Sequence, residues 1–491
     1  MGKKRTKKPA VPGQCPLYKK CGGCQLQNMT YEQQLAFKQK KEIRWLGRYG
    51  KVEPILGMEN PHHYRNKVQA AFAWDARRKK LISGVYQSGS HRIVPVNDCQ
   101  IEDKKADEII VDIRRLMQSF HMTAYDEDTH RGFIRHVLVK RGFSTGQIMV
   151  VLVSGTPMFP SRKNFIRALL EQHPEITTIL QNVNPYHTNL VLGRQETVLY
   201  GPGYIEDELC GKTFRISAKS FYQINPVQCE KLYRTAIDFA GLTGEETVFD
   251  SYCGTGTIGI IASDHAKQVI GVELNRDAVK DAVANAKRNQ VENIRFAGGD
   301  AGEFLEAMAD AGESVDVILM DPPRAGSSET FLRSVVRLGP PKVVYVSCNP
   351  ETLSRDLKYL TKHSYEVRRI QPVDMFPYTE HVETVALLTR KLSNAKSIVV
   401  EIDTDTLKAE KKPPMATYAN MRKWIREELG LKVSAANIAA MKDEYGLEKQ
   451  FSYEDAGMAA EKRPGIPEEK RQAIIKAFGH FGLIKPEKDK A

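Results

Sequence analysis

Six short stretches hold residue types that can do covalent or ligand chemistry. In VYVSCNP, residues 344–350, an apolar β-branched run ends in Ser-Cys-Asn-Pro. A buried cysteine is a small hydrophobe and needs no further role, but Cys348 stands where the backbone leaves a strand, a place for a nucleophile. In CPLYKKCGGCQLQ, Cys15, Cys21 and Cys24 fall within ten residues, with two glycines that let the chain wrap a small inorganic centre. Cys99, in VPVNDCQI, is a fourth candidate. Four thiolates suit either tetrahedral zinc or an iron–sulfur cluster, and spacing does not separate these. FDSYCGTGTIGI reads G-x-G-x-x-G through Gly254, Gly256 and Gly259. Glu273 follows about 20 residues later, where a carboxylate can accept both ribose hydroxyls. That pattern fits NAD and S-adenosylmethionine equally well. MDPPRAG adds Asp321, which can bind a cofactor or a substrate amide, and two prolines that stiffen its loop; it favours methyl transfer over hydride transfer. Asp300, closing FAGGD, sits where a carboxylate often contacts an adenine amino group, and Thr257 joins the cofactor set from the glycine loop.

The elements that must hold these residues are legible as a change of rhythm. From about 246, the apolar strand cores TVFDSYCG, QVIGVEL, NIRFAGGD, VDVILMDPP, KVVYVSCNP and ETVALLTR alternate with helical stretches, the signature of a doubly wound parallel α/β sheet with its chemistry at the carboxyl ends of the strands. Residues 64–100 read as hairpins with basic turns, and residues 132–210 as a mixed α/β layer. TYEQQLAFKQKKEIRWL has helical apolar spacing with basic exposed positions and is expected to lie beside the metal site. Near the C-terminus, the polar linker EIDTDTLKAEKKPPM leads to three short helices, stopped by Gly430 and Gly446 and started by Ser434, in a helix-turn-helix-like pattern able to contact RNA or DNA.

At 491 residues the chain exceeds one ordinary core. Lys plus Arg outnumber Asp plus Glu by 72 to 60, giving a net charge of +12, and the pI is about 9.1. Such a balance favours a polyanionic partner, nucleic acid above all. The start, MGKKRTKKPAVPG, is basic and reads as a disordered arm with no secretory signal. No run approaches the roughly 18 apolar residues of a membrane helix, so a cytoplasmic protein is expected. Eight cysteines are too few for a disulfide scaffold in a chain of this length and better suit metal binding or catalysis.

A thiolate at the mouth of such a sheet has a specific use. Uracil C5 is too weak a nucleophile to take a methyl group unaided, but addition of a thiolate across C6 turns C5 into an enolate carbon. The base must be flipped from its stack to be reached, and Phe221 or Tyr222 is placed to stack on it unless buried in the core. An electropositive setting, with Arg324 as one source, would lower the thiol pKa. The C5 proton must then leave, and FPYTEHVETVALL offers Glu380, His381 and Glu383 as bases.

CPLYKKCGGCQLQ with Cys99, SFYQIN, DSYCGTGTIG, MDPPRAG, VSCNPETLSRD and FPYTEHVE occur in this order. Over residues 14–392 the chain resembles the S-adenosylmethionine-dependent RNA uracil-5-methyltransferases. The resemblance implies a Rossmann-like class I methyltransferase domain, Cys348 as nucleophile and Glu383 as base. It also implies cofactor contacts from Gln223, Tyr252, Glu273 and Asp321, and a [4Fe-4S] cluster on Cys15, Cys21, Cys24 and Cys99. Cluster-bearing members mostly act on large-subunit ribosomal RNA, which makes 23S ribosomal RNA the expected partner of a monomer; transfer RNA is the alternative. An NAD-dependent oxidoreductase, or a non-enzymatic RNA-binding protein, is a more distant one. The expected organisation is an arm over 1–13, a cluster segment and helix over 14–62, a central RNA-binding α/β domain over 63–212, the methyltransferase domain over 213–392, a linker over 393–416 and a helical extension over 417–491. The chain departs from many cluster-bearing members, which carry a β-barrel domain ahead of the cysteines, and its C-terminal extension is similar to tails of clostridial-type relatives.

Overall fold

The computed structural model describes residues 13–391, apart from 88, 89, 91, 187 and 189, together with 417–447 and 466–484. The basic arm up to residue 12 and the linker expected over 393–416 lie outside the described residues. The chain divides into two units, 1–393 and 394–491.

The first unit opens with α1 (Tyr18–Cys21) and α2 (Tyr31–Leu46). α2 starts at a capping box between Thr30 and Gln33. Its inward stripe is Gln34, Lys38, Glu42 and Leu46, spaced by one turn and mostly polar, while Ile43 is half exposed. The expectation of an apolar inner face with basic residues outside is therefore corrected. Lys38 is buried because a fixed carboxylate, Asp374, lies 2.5 Å from its Nζ.

Next comes a seven-stranded sheet, β1 (Lys67–Asp75), β2 (Lys80–Tyr86), β3 (Ile93–Pro95), β4 (Ile134–Arg141), β5 (Ile148–Ser154), β6 (Ile176–Val183) and β7 (Gln195–Tyr200), ordered β3-β2-β1-β4-β5-β6-β7. Only β5 and β6 pair in parallel, and α4 (Arg162–Gln172) supplies the crossover that a parallel pair requires. α3 (Lys104–Ser119) joins α4 over one face, where Ile109, Ile113, Val137 and Leu169 share a core. A hairpin of β8 (Ile205–Leu209) and β9 (Lys212–Ile216) follows.

The second sheet contains β10 (Thr247–Ser251), β11 (Gln268–Glu273), β12 (Ile294–Gly298), β13 (Val317–Met320), β14 (Lys342–Ser347), β15 (Tyr365–Val373) and β16 (Glu383–Arg390), ordered β12-β11-β10-β13-β14-β16-β15. α5 (Pro226–Ala240), α6 (Thr257–Ala262) and α7 (Arg276–Arg288) contribute to the core on one face. α8 (Ala301–Asp310), α9 (Glu329–Leu338) and α10 (Pro350–Lys362) contribute to the core on the other. β10 to β14 are parallel, but β16 runs antiparallel between β14 and β15, so the expected all-parallel sheet is corrected at its last strand. No helix lies between β15 and β16 to carry the chain back over the sheet, and a connection without a crossover can only make an antiparallel pair.

The second unit has α11 (Tyr418–Leu429), α12 (Ala435–Glu444) and α13 (Glu468–His480). Thr417 and Ser434 cap the first two, and Met421, Ile425, Ile438, Ile474 and Phe478 form its core.

Candidate active site

The carboxyl ends of β10, β11, β13 and β14 point to one edge of the second sheet, and the candidate residues lie there. Gln223, Tyr252, Thr257 and Asp321 line one cavity, with Phe221, Tyr233 and Asp250. Tyr252 enters the glycine loop with φ 60, a left-handed conformation that costs a non-glycine residue on the order of 1–2 kcal/mol. Its ring packs on Phe331 at 5.2 Å between centroids. Glu273, ending β11, does not line the cavity but holds its wall: Oε2 accepts from Gly254 N at 3.1 Å and Oε1 from Asn275 N at 2.8 Å. Asp300 is exposed and caps α8, accepting from Gly302 N and Glu303 N, outside the cavity lining.

Cys348 lies between β14 and α10, whose N-cap is Asn349 and whose first turn begins with Pro350. Ser347 is opposite Thr384 in the antiparallel register, so the next position out on β14, Cys348, is level with Glu383. Glu383 is buried. Asp321 follows β13, the neighbour of β14 on the other side. Burial pushes the Asp321 carboxyl up to about 7. Burial, then the charges of Asp321 and Glu42, hold the Glu383 carboxyl well above the ordinary range, with Arg324 opposing. The Cys348 thiol is pushed up to about 11 by burial, then by Glu383 and Asp321. The expectation of a lowered thiol pKa is overturned, because burial first, and then Glu383 and Asp321, outweigh the one guanidinium of Arg324. Arg324 Nη2 donates to His381 Nδ1 at 2.9 Å, and burial, followed by the Arg324 charge, keeps the imidazole below its usual range.

Of the two aromatics proposed for stacking, the structure separates one from the other. Both line the cavity, but Tyr222 is buried against the core and its hydroxyl donates to Asp207 Oδ2 at 3.4 Å, whereas Phe221 is 65% exposed.

Cys15, Cys21, Cys24 and Cys99 line a second, small cavity with Gln27. Its wall is tied by Cys15 N donating to Gln27 Oε1 at 3.2 Å and Cys99 N to Asp107 Oδ2 at 2.7 Å. Burial pushes the Cys24 thiol up to about 11 and raises Cys21 and Cys99. Among the described residues no three His, Cys, Asp or Glu side chains converge to hold a single metal ion. The same segment grips the loop that leads to Glu383, through Leu26 N to Tyr378 O at 3.0 Å and Glu380 N to Gln25 Oε1 at 3.4 Å.

Sequence reading missed Asp250, whose Oδ2 accepts from Gly259 N at 2.9 Å and whose carboxyl is pushed by burial to about 8. Its place just before the glycine loop, in FDSYCG, was the available signal. It also missed Glu42, for which a helix rich in charged residues gives no signal.

A parallel sheet closed by one antiparallel strand inserted next to the edge, with a glycine loop after its central first strand, defines a Rossmann-like methyltransferase. The profile of the tRNA (uracil-5-)-methyltransferase family matches residues 30–391. The chain belongs to that family. It is 45% identical over 383 residues to an RNA methyltransferase of Clostridium acetobutylicum, covering 77% of this chain and 83% of that one, and 44% identical over 386 residues to one of Halalkalibacterium halodurans, covering 78% and 84%. Among solved structures it is similar to Pyrococcus abyssi tRNA (uracil-54, C5)-methyltransferase in complex with S-adenosyl-L-homocysteine, with TM-score 0.64 and 28% identity over 75% of this chain and 86% of that one. The family sets aside the oxidoreductase and non-enzymatic readings. No helix among the described residues is long and apolar enough to cross a membrane.

Proposed function

We propose that the enzyme methylates C5 of a uridine in 23S ribosomal RNA, with S-adenosylmethionine as donor. The observation that carries the chemistry is the register that sets Cys348 level with Glu383 on adjacent antiparallel strands, one strand from Asp321. The donor supplies an electrophilic methyl group on a cationic sulfur. Gln223, Tyr252, Thr257 and Asp321 would hold it, while Glu273 keeps Gly254 in place; Asp300 acts at the adenine end from outside the cavity lining. Phe221 stacks on the flipped base. Cys348 adds to C6, and the electron pair displaced onto C5 takes the methyl group. Glu383 then accepts the C5 proton, C5=C6 reforms, and the C6–S bond breaks to return the thiolate. The thiol must first give up its proton to solvent, and the cationic sulfur of the donor would favour that ionisation by offsetting the charges of Asp321 and Glu383.

Glu383→Gln is expected to block proton removal and leave the methylated adduct attached. The measurement is mass spectrometry of the protein after incubation with RNA and donor; free, methylated RNA at the wild-type rate would remove Glu383 from the mechanism.

The four cysteines fit a [4Fe-4S] cluster: they share one cavity, and a cubane takes one thiolate on each iron and does not need them to converge on a point. Binding would displace the thiol protons and fix the 15–27 segment against the loop before Glu383. Anaerobically purified protein should contain about four irons per chain, and Cys24→Ser should lose most of them; zinc found in their place would overturn the assignment.

The four-cysteine resemblance supports ribosomal RNA, and a single chain supplies every site residue, in keeping with a monomer. The Pyrococcus abyssi neighbour's substrate favours transfer RNA as the second reading. Methyl transfer to purified 23S ribosomal RNA but not to transfer RNA transcripts is the expected result, and the reverse preference decides for the second reading.

A further inference from the structure

The inward stripe of α2 contains a carboxylate that the chemistry above does not use. Glu42 has no exposed surface. Its Oε2 accepts from Thr384 Oγ1 at 2.9 Å, while Oε1 has no hydrogen-bond partner. An unpartnered buried acceptor is costly, so a structural role alone would be better filled by an apolar side chain. Thr384 directly follows Glu383. Along β16, Ala386 and Leu388 join the core on the side of α8, α9 and α10, and Val385 joins the other. By this alternation Thr384 faces α2, and Glu383 faces the opposite way. Only the thickness of one strand separates the two acids.

We infer that Glu42 is a positioning residue for Glu383: through Thr384 it fixes the start of β16, and it sets a second buried acid behind the base, strengthening Glu383 as a proton acceptor. The inference rests on Glu383 being the base. The surrounding cations offset this pair only in part, Arg324 acting on Glu383 and Lys41 on Glu42. Lys38 is spent on Asp374. Lys41 donates to the Glu380 backbone oxygen at 3.0 Å. Arg324 bonds His381, and Asp321 adds a further negative charge. Burial pushes the Glu42 carboxyl up to about 7, with Thr384 and Lys41 opposing. Once Glu42 is ionised, its charge disfavours ionised Glu383 and raises the proton affinity of the base. Removing that charge lowers this affinity, and the acid limb of the pH profile moves to lower pH.

The experiment follows tritium release from RNA carrying [5-³H]uridine, across pH, for wild type, Glu42→Gln, Glu42→Leu and Glu383→Gln. Both Glu42 variants should shift the acid limb of kcat/KM down by about one pH unit, a size expected for two charges several ångströms apart in a partly screened interior, with donor KM unchanged. An unshifted limb in both, alongside an inactive Glu383→Gln, overturns the role of Glu42 and leaves the base intact. Wild-type release by Glu383→Gln overturns the base itself, and this inference with it.

Discussion

Alanine at position 348 is expected to reduce methyl transfer at least about 10⁴-fold, or roughly 5 kcal/mol of barrier, while donor binding stays at its wild-type affinity. The other cysteines are placed differently: Cys229 is buried in the core, Cys253 is buried in the wall of the donor cavity, Cys210 lies on the β8–β9 turn against α5, and Cys15, Cys21, Cys24 and Cys99 line the second cavity. The pyrimidine then has no nucleophile to activate C5. Serine should do no better, because its hydroxyl ionises even less readily beside Asp321 and Glu383. RNA containing 5-fluorouridine, which cannot release a proton from C5, is expected to trap the wild-type enzyme as a covalent adduct and to leave both variants free. Calorimetric titration with S-adenosyl-L-homocysteine separates this outcome from misfolding. Activity within tenfold of wild type in Cys348→Ala would end the covalent mechanism.

Lys38→Met is expected to cost about 3–5 kcal/mol of folding stability, read as a lowered urea midpoint. The substitution leaves Asp374 fully buried with its charge unmatched. Tyr31 still donates to Asp374 Oδ2 at 2.9 Å, but one hydroxyl does not replace an ammonium that also donates to Phe376 O at 3.0 Å. The loop from 374 to 382 leads directly into Glu383, so activity should fall along with stability. Pairing Lys38→Met with Asp374→Leu should recover much of the loss, since an apolar pair of similar volume can match a buried ion pair. A single variant as stable as wild type would show that the pair contributes nothing net.

The sequence alone determined what local chemistry determines. Strand cores ending in DSYCGTG, MDPP and VSCNP told of a sheet with its site at the carboxyl edge, because apolar runs, glycine turns and prolines each act over a few residues. The cysteine spacing likewise led to the expectation of one shared site, and Cys15, Cys21, Cys24 and Cys99 line one cavity. Tertiary structure decided the insertion of β16 between β14 and β15, a non-local pairing that sets Cys348 level with Glu383. It buried Tyr222 and left Phe221 exposed at the cavity that both line, though adjacent aromatics are equivalent by type. It reversed the expected pKa of Cys348, which burial raises first and then carboxylates from two distant segments. It also turned the charged face of α2 inward, because Asp374 and Thr384, more than 300 residues away in sequence, were waiting as partners. Whether a charge faces water or the core is set by what the rest of the chain brings to it.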